Sequence, residues 1–588
     1  MFTLDFETEA ISGNTSAFPP KPVGLAVRQP DGAKYYETSW VGMGAALERA
    51  WSGDMLFHSA KFDVSVARHY FNLPPPDPLK VHDTTYLIFL HDPHAPNLSL
   101  KPSAERILGQ KPEEQDALRD WILKHVEGST KKNFGAFICK APVEIVAPYA
   151  IGDVNRTFAL YEHLMPKIEA QRMGEAYRRE QLLCPILVDA ERRGLRVDMP
   201  ALEQSIKDMT AALKECDSRI FKALSCTFNV DSPDELAQAL DKAGMVESWP
   251  LTPTGRRSTA KDALQRAVTN PEVLALLLYR SGLDTCLNTF GISWYNQAWA
   301  SKGRLHPNWN QVRGEGKGTR SGRISCDHPN LTNPPNELRA RAPAGLPEIP
   351  LMRRFLLPEE GHVWVKRDFS SQEIRILAHY EDGDLMRAYQ ENPDLDPHEM
   401  AKDLILSIAG LDLPRKDVKI TAFSTIYGAG VSGLASQLGC DHSKAKEMRE
   451  AYMAAIPGIR ILSDALRRRG RNGLPLRTWG GRLYLPEPPK LVNGRMMDFL
   501  YKLLNYLIQP SAADLTKQTI IEWHAEHSSD GDMKATLYDE INLSVELGKE
   551  RGAMAHLKEV MNRDRLDVPM RSEGFIGPNF GELHALES

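Results

Sequence analysis

The sequence predicts a mixed α/β protein of several domains, and three observations carry that expectation. At 588 residues the chain exceeds what a single hydrophobic core serves. Phe2, Leu4 and Phe6 alternate with Thr3, Asp5 and Glu7, the period-two pattern of a half-buried strand. Much later, strand-like runs at Val363–Val365, Ala535–Leu537 and Ile541–Val545 flank a segment whose marked residues recur at every fourth position, as on a helix.

Taken in order, Asp5 and Glu7 project from one strand face, where both can reach one cation. An isolated Asp-x-Glu is more simply a polar strand face. His58-Ser59-Ala60-Lys61-Phe62-Asp63 and Tyr149-Ala150-Ile151-Gly152-Asp153 add two acidic residues, and Tyr149 and Asp153 stand on one helix face. Alone, Tyr149 would be an amphipathic core residue and Asp153 a solvated carboxylate. Helical spacing from Leu182 to Leu195 ends at Gly194, a C-terminal cap, and Phe228–Pro233 reads as a loop.

Asp368 closes the apolar run Val363-Trp364-Val365 and so belongs at a strand end. Ser370-x2-Glu373 just beyond it has the form of a capping box. Arg415-x3-Lys419-x3-Phe423-x3-Tyr427 offers two cations for a triphosphate, then two rings for a base, although the spacing alone describes any amphipathic helix. Tyr538-Asp539-Glu540 falls where a tight hairpin turn is expected. Two aspartates brought together in this way can hold divalent cations ~3.5–4 Å apart, as phosphoryl transfer requires.

Hydrophobic residues at 42% and charged residues at 25% exclude wholesale disorder. The net charge of -5 does not advertise a nucleic-acid binder, but a duplex feels local fields rather than the total. Basic clusters lie at 313–323 and 467–471; either alone reads as a solvated loop. Seven cysteines without a Cys-x2-Cys pair indicate neither a zinc ribbon nor a disulfide framework, so reduced intracellular thiols are expected. There is no membrane-spanning run and no basic region before an apolar N-terminal stretch, so neither a membrane location nor secretion is expected.

The ordered motifs at 368–375, 415–428 and 538–540 resemble motifs A, B and C of family A DNA polymerases, the family of bacterial DNA polymerase I. Further landmarks extend the likeness over nearly the whole chain: 319–325, Pro329-Asn330-Leu331-Thr332-Asn333, Ala512-Ala513-Asp514 and Gly577–Gly581. The resemblance implies a ribonuclease-H-like 3′–5′ exonuclease domain followed by a right-hand polymerase. Its expected boundaries are exonuclease 1–170, connector and thumb 171–305, first palm part 306–395, fingers 396–497 and second palm part 498–588.

Asp5, Glu7, Asp63 and Asp153 are similar to a complete exonuclease ligand set, with Tyr149 positioning water. In the polymerase site, Asp368, Asp539 and the Phe369 carbonyl would hold metal, and Glu540 would complete the acidic group. Arg415, Lys419 and His398 would meet the triphosphate, Phe423 the incoming sugar and base, and Tyr427 the template stacking position. Glu373 would be a steric gate against a ribose 2′-OH, in competition with its capping-box reading. Arg323, Asn330, Asn333, Asn505, Gln509 and Tyr538 would contact DNA, unless the amides cap a loop or helix instead.

Two Mg²⁺ per active site, with Mn²⁺ able to substitute, are the implied cofactors. Primer-template DNA and dNTPs are the implied partners, with helicase, primase or single-strand-binding protein as replication companions and a monomer as the working state. Ser59, Tyr501, Pro510 and Tyr538 depart from the family pattern without removing a metal ligand; the last three are expected near the primer terminus. The segment around Lys101 is expected only to pack. With the first exonuclease strand at residue 2, no 5′-nuclease domain is expected, which suggests a phage replicative enzyme in the host cytoplasm. A single-subunit RNA polymerase is disfavoured by Glu373 and the exonuclease set. A DNA-binding scaffold or an exonuclease-only repair factor is disfavoured because no carboxylate is missing.

Overall fold

The computed structural model describes residues 1–11, 18–252, 254–314, 320–334, 342–492 and 494–586. Thr319, which opens the 319–325 landmark, lies outside them. The N-terminal sheet contains β1 (Phe2–Thr8), β2 (Pro22–Arg28), β3 (Lys34–Glu37), β4 (Met55–Phe57) and β5 (Val81–Asp83). Their order is β3-β2-β1-β4-β5; β1, β2 and β3 pair antiparallel, whereas β1, β4 and β5 run parallel. This is the ribonuclease-H-like topology. Leu4 and Phe6 enter its core with Leu25, Val27 and Met55, which leaves Asp5 and Glu7 on the opposite face.

Four of the helices in this third of the chain bear on the site: α1 (Ala60–Tyr70), α2 (Leu100–Leu108), α3 (Val143–Ala170) and α4 (Gly174–Arg193). The last begins eight residues before the apolar spacing suggested and ends at Gly194, whose φ is 64°. Leu195 starts a short strand, Leu195–Val197, rather than finishing the helix. The early turns lack an apolar stripe because their buried side chains include Arg179, Glu180 and Gln181, polar residues that a hydrophobic period places in solvent.

The second large sheet is entirely antiparallel and is built from distant segments. It contains β6 (His362–Phe369), β7 (Asp532–Leu537), β8 (Glu540–Glu546), β9 (Ser572–Gly577) and β10 (His584–Ala585), in the order β7-β8-β6-β9-β10. Five helices frame the site: α5 (Gln372–Glu381), α6 (Pro397–Ala409), α7 (Arg415–Ile426), α8 (Leu503–His527) and α9 (Glu550–Met561). Ala553, Met554, Leu557 and Val560 of α9 share a core with Trp364 and Val365 of β6 and Leu543 of β8. Ile374 and Leu377 of α5 pack instead with Val418 and Ala422 of α7 and Leu507 of α8. The sheet and the α7 helix thus belong to separate cores, and α8 contributes to both, with Leu507 in one and Leu515 and Ile520 in the other.

A buried ionic cluster joins the N-terminal region to this assembly. Arg482 contacts Asp514 at 2.6 Å and Glu180 at 2.6 Å, and Lys517 contacts Glu180 at 2.6 Å. Gln311 donates to Glu180, and Arg179 donates to the Gly480 carbonyl. Burial holds Lys517 down at about 8, whereas for Arg482 the lowering effect of burial is outweighed by Asp514 and Glu180, which hold the guanidinium above its ordinary value. Such charges are stable only while every partner is present.

Candidate polymerase and exonuclease sites

The β7–β8 hairpin brings motif C to motif A. Asp368 pairs in register with Glu540, and the Phe369 N–H donates to the Asp539 carbonyl at 3.2 Å. Tyr538 takes a left-handed φ of 58°, which closes the turn. Burial pushes Asp368 up to about 7, with Asp539 and Glu540 adding repulsion. Burial also raises Asp539 to about 6, although Arg323 opposes the shift. Asp368 Oδ1 is buried and has no hydrogen-bond partner among the described residues. Converging, mutually repelling carboxylates with an orphaned oxygen suit a hard divalent cation.

Glu540 is more constrained than the sequence suggested. Lys366 contacts its carboxylate, and Asn542 donates to it at 3.1 Å. Lys366 Nζ also lies 3.7 Å from Asp368 Oδ2. A sequence signal for this lysine existed, because it precedes Asp368 by two strand positions and shares its face.

The capping box at motif A does not form. Ser371, in the left-handed region at φ 55°, is the N-cap of α5 and makes no side-chain cap bond. Ser370 Oγ donates to Glu573 at 3.1 Å instead. Glu373 pairs with Arg323, and burial followed by the Glu373 charge raises the Tyr427 hydroxyl above its ordinary value. Arg323 also stands over the Tyr538 ring at 5.4 Å. The guanidinium assigned to a DNA groove is thus engaged by motifs A and C.

Arg415 opens α7, Lys419 is exposed, and Phe423 and Tyr427 follow at 5.8 Å between ring centroids. Tyr427 is the C-cap, just beyond the last helical residue. Arg415 donates to Asp396 at 2.6 Å and 2.9 Å, and Asp396 in turn caps α6. His398 lies 5.9 Å from Phe423, and burial, reinforced by Lys419 and Arg415, lowers it to about 4. A neutral imidazole there can donate one hydrogen bond but brings no positive charge to a phosphate.

Asn330 caps its own loop, accepting from Thr332 at 2.9 Å and from the Asn333 N–H at 3.3 Å. Asn333 is exposed beside it. Asn505 and Gln509 line a cavity of about 500 Å³ with Tyr427, Gly428, Arg320 and Ser321. Tyr501 and Pro510 line the same cavity, whereas the Tyr538 ring packs under Arg323. Asn505 Oδ1 is buried there without a partner among the described residues.

In the N-terminal sheet, ligand oxygens of Asp5, Glu7 and Asp153 lie within 4.8 Å of one another. Burial pushes Asp5 up to about 7, helped by Asp153, and raises Glu7 and Asp63 as well. These crowded carboxylates fit a divalent cation. Asp63 accepts from the Phe6 N–H at 3.0 Å, which fixes α1 against β1. Ser59 caps α1 at φ 67°, a conformation in which Asn is more comfortable than Ser. Lys101 overturns the packing role expected of its segment: its Nζ lies 2.5 Å from Asp153 Oδ2 and 3.9 Å from the Tyr149 ring centroid. No local periodicity marks it, because its partners come from another helix.

The model of "DNA polymerase family A" matches residues 199–582. The chain belongs to DNA polymerase family A. The chain is 26% identical to DNA polymerase DpoZ of Vibrio phage phiVC8, across 96% of this chain and 94% of that relative. It is 28% identical to the thermostable DNA polymerase I of Thermus filiformis over 72% of its own length, and spans about 50% of that relative. Among solved structures, the family A fold recurs in the POL domain of Pol1 from M. smegmatis, in complex with DNA primer-template and dNTP. The TM-score is 0.77 at 22% identity, covering 99% of this chain and 95% of the other. The right-hand fold is shared.

Proposed function

We propose that the chain is a template-directed DNA polymerase with a 3′–5′ exonuclease, acting in phage replication within the host cytoplasm. The meeting of Asp368 and Asp539 across the β6–β8 pair, beside the α7 ridge, carries this reading. The near full-length likeness to the phage polymerase supports the replicative assignment. In this reading residues 1–170 are the exonuclease, 171–305 the connector and thumb, 306–395 with 498–588 the palm, and 396–497 the fingers.

Asp368, Asp539 and the Phe369 carbonyl would hold Mg²⁺ in the polymerase site, and Asp5, Glu7, Asp63 and Asp153 in the exonuclease site. Bound there, the cation supplies charge neutralisation and acidifies the attacking hydroxyl or water. Arg415 and Lys419 bind the triphosphate, the first by releasing Asp396. Phe423 packs on the incoming sugar and base. Tyr427 holds the template stacking position, and Glu373 fills the space of a 2′-OH. Arg323, Asn505, Gln509 and Tyr538 face the primer-template, with Asn330 shaping the loop that carries Asn333. Tyr149 orients the attacking water in the exonuclease site.

The two carboxylate sets lie in different sheets, so their losses should separate. Asp368→Ala or Asp539→Ala should abolish primer extension while single-strand 3′–5′ degradation persists. Asp5→Ala with Glu7→Ala should do the reverse. A folded Asp5/Glu7 variant that binds DNA yet cannot extend a primer would contradict the division, and wild-type protein lacking both activities would favour a DNA-binding scaffold.

A further inference from the structure

The basic cluster at 467–471 takes no part in either site described above. From Pro457 to Lys502 the sequence carries ten arginines and lysines against three acids, Asp464, Glu487 and Asp498, in a chain of net charge -5. Glu487 is buried and already paired, with Arg320 at 2.6 Å and Lys502 at 2.7 Å, while Arg482 belongs to the ionic cluster. The helix Pro457–Arg471 ends with Arg468, Arg469 and Arg471 exposed. A local excess of this sign attracts phosphate whatever the total charge.

Within that stretch, strands Lys490–Val492 and Arg495–Met497 form a hairpin that joins neither large sheet. Residues directly opposite share a face, so Leu491 and Met496 lie together on one side, 70% and 66% exposed. Lys490 and Arg495 occupy the other side, opposite Met497 and Val492. Two such short strands are marginal alone in water, yet this hairpin is held at its base. Glu487 precedes it and Lys502 follows it, so their ion pair ties the two legs together. Both legs seat on the helix Pro457–Arg471, since a Cβ at Gly470 would crowd Leu500 and come within 3.5 Å of Pro486. The apolar pair is therefore presented outward on an anchored stalk.

We propose that this hairpin separates DNA strands ahead of the polymerase site. Leu491 and Met496 wedge against the first base pair of a downstream duplex, while Lys490, Arg495 and the exposed arginines of the helix hold its phosphates. Leucine and methionine are among the side chains that pry base steps apart. Tyr501 and Lys502, on which the hairpin ends, line the cavity with Tyr427, Asn505 and Gln509. This rests on the polymerase reading above, in which that cavity is the template's path: a strand still annealed to uncopied template must part from it beside the hairpin. Displacement of that strand is then added to primer extension. A second copy of the chain is a poorer occupant, because a two-fold contact through this face would set its cations against themselves.

The test is primer extension by the full-length chain carrying Asp5→Ala and Glu7→Ala, so that 3′–5′ degradation does not shorten the product. Each variant is timed on a primed open template and on the same template with a second strand annealed downstream. Leu491→Ser with Met496→Ser should extend on the open template as the parent does. It should pass the annealed strand about tenfold more slowly, the factor that one base-pair step is worth. Leu491→Met with Met496→Leu keeps the wedge apolar and should match the parent on both. Lys490→Gln with Arg495→Gln should weaken binding to the duplex-bearing template and leave the open one unchanged. All these positions are exposed, so thermal transitions should stay within error of the parent. Passage by the serine variant at the parent's rate, equal slowing on both templates, or a parent that cannot displace the strand would overturn the proposal. A dimeric parent whose serine variant sediments as a monomer would assign the face to a second copy instead. A parent that extends neither template would overturn the polymerase reading together with the wedge.

Discussion

At the scale of single residues, Glu373 had two competing roles, and the geometry removes one. It makes no cap; it pairs with Arg323, so its position is set by a tertiary contact. Glu373→Ala should admit ribonucleotides in single-turnover incorporation, because a lost polar clash relaxes discrimination strongly. It should also cost about 1–3 kcal/mol of stability by leaving Arg323 without its carboxylate. Unchanged ribonucleotide exclusion in a folded variant would end the steric-gate reading. Tyr538 offers a second test. Its left-handed φ of 58° is one that His also adopts readily, so Tyr538→His should preserve the turn and primer extension. Between roughly pH 6 and 7 the new imidazole should gain charge beside Arg323, making extension rate more sensitive to pH than in the wild type. Superimposable pH profiles would remove residue 538 from the site.

At the scale of elements, the strand ends and the motif C hairpin were legible because their signals are local. Alternation places Asp5 and Glu7, an apolar run delivers Asp368, and two strands facing across a short turn present Asp539. The contacts that complete each site were not legible, since they join residues far apart in sequence: Arg323 with Glu373, Lys101 with Asp153, Arg482 with Glu180. The early turns of α4 were hidden for a related reason, because burial there is achieved with charged side chains and periodicity reads charge as exposure. Gly322 shows what such packing demands. Its φ is 71°, and a Cβ there would overlap the Arg482 guanidinium. Gly322→Ala should therefore lower the thermal transition, at a cost of about 1–3 kcal/mol from backbone strain before the clash is counted. A transition unchanged within error would mean that Arg482 can step aside.

At the scale of the whole molecule, two acidic centres set how stability responds to pH and metal. Asp5 and Asp368 are raised to about 7 and Asp539 to about 6. Between the usual carboxylate range and pH 7, the folded chain retains protons that the unfolded chain has released, so these groups lower stability as pH rises. Several histidines are shifted down, His58 and His398 to about 4, and they contribute the opposite slope only below their ordinary value of 6.5. Above pH 6.5 the carboxylates should prevail: in EDTA the melting temperature should fall toward pH 8, and the increment from Mg²⁺ should grow over the same interval. A Mg²⁺ increment that is flat with pH would sever the metal from these groups. The ionic cluster on α4 and α8 has a different consequence, for ancestry and engineering. Glu180 stands among the first two hundred residues, while its counter-ions Arg482 and Lys517 stand near the end. A recombinant taking its front from one polymerase and its back from another would bury one member of this set with strangers, at about 3–5 kcal/mol for each uncompensated charge. Crossovers between these two positions should survive only where both parents carry the same charges, so the front and back of this chain are inherited as a matched pair.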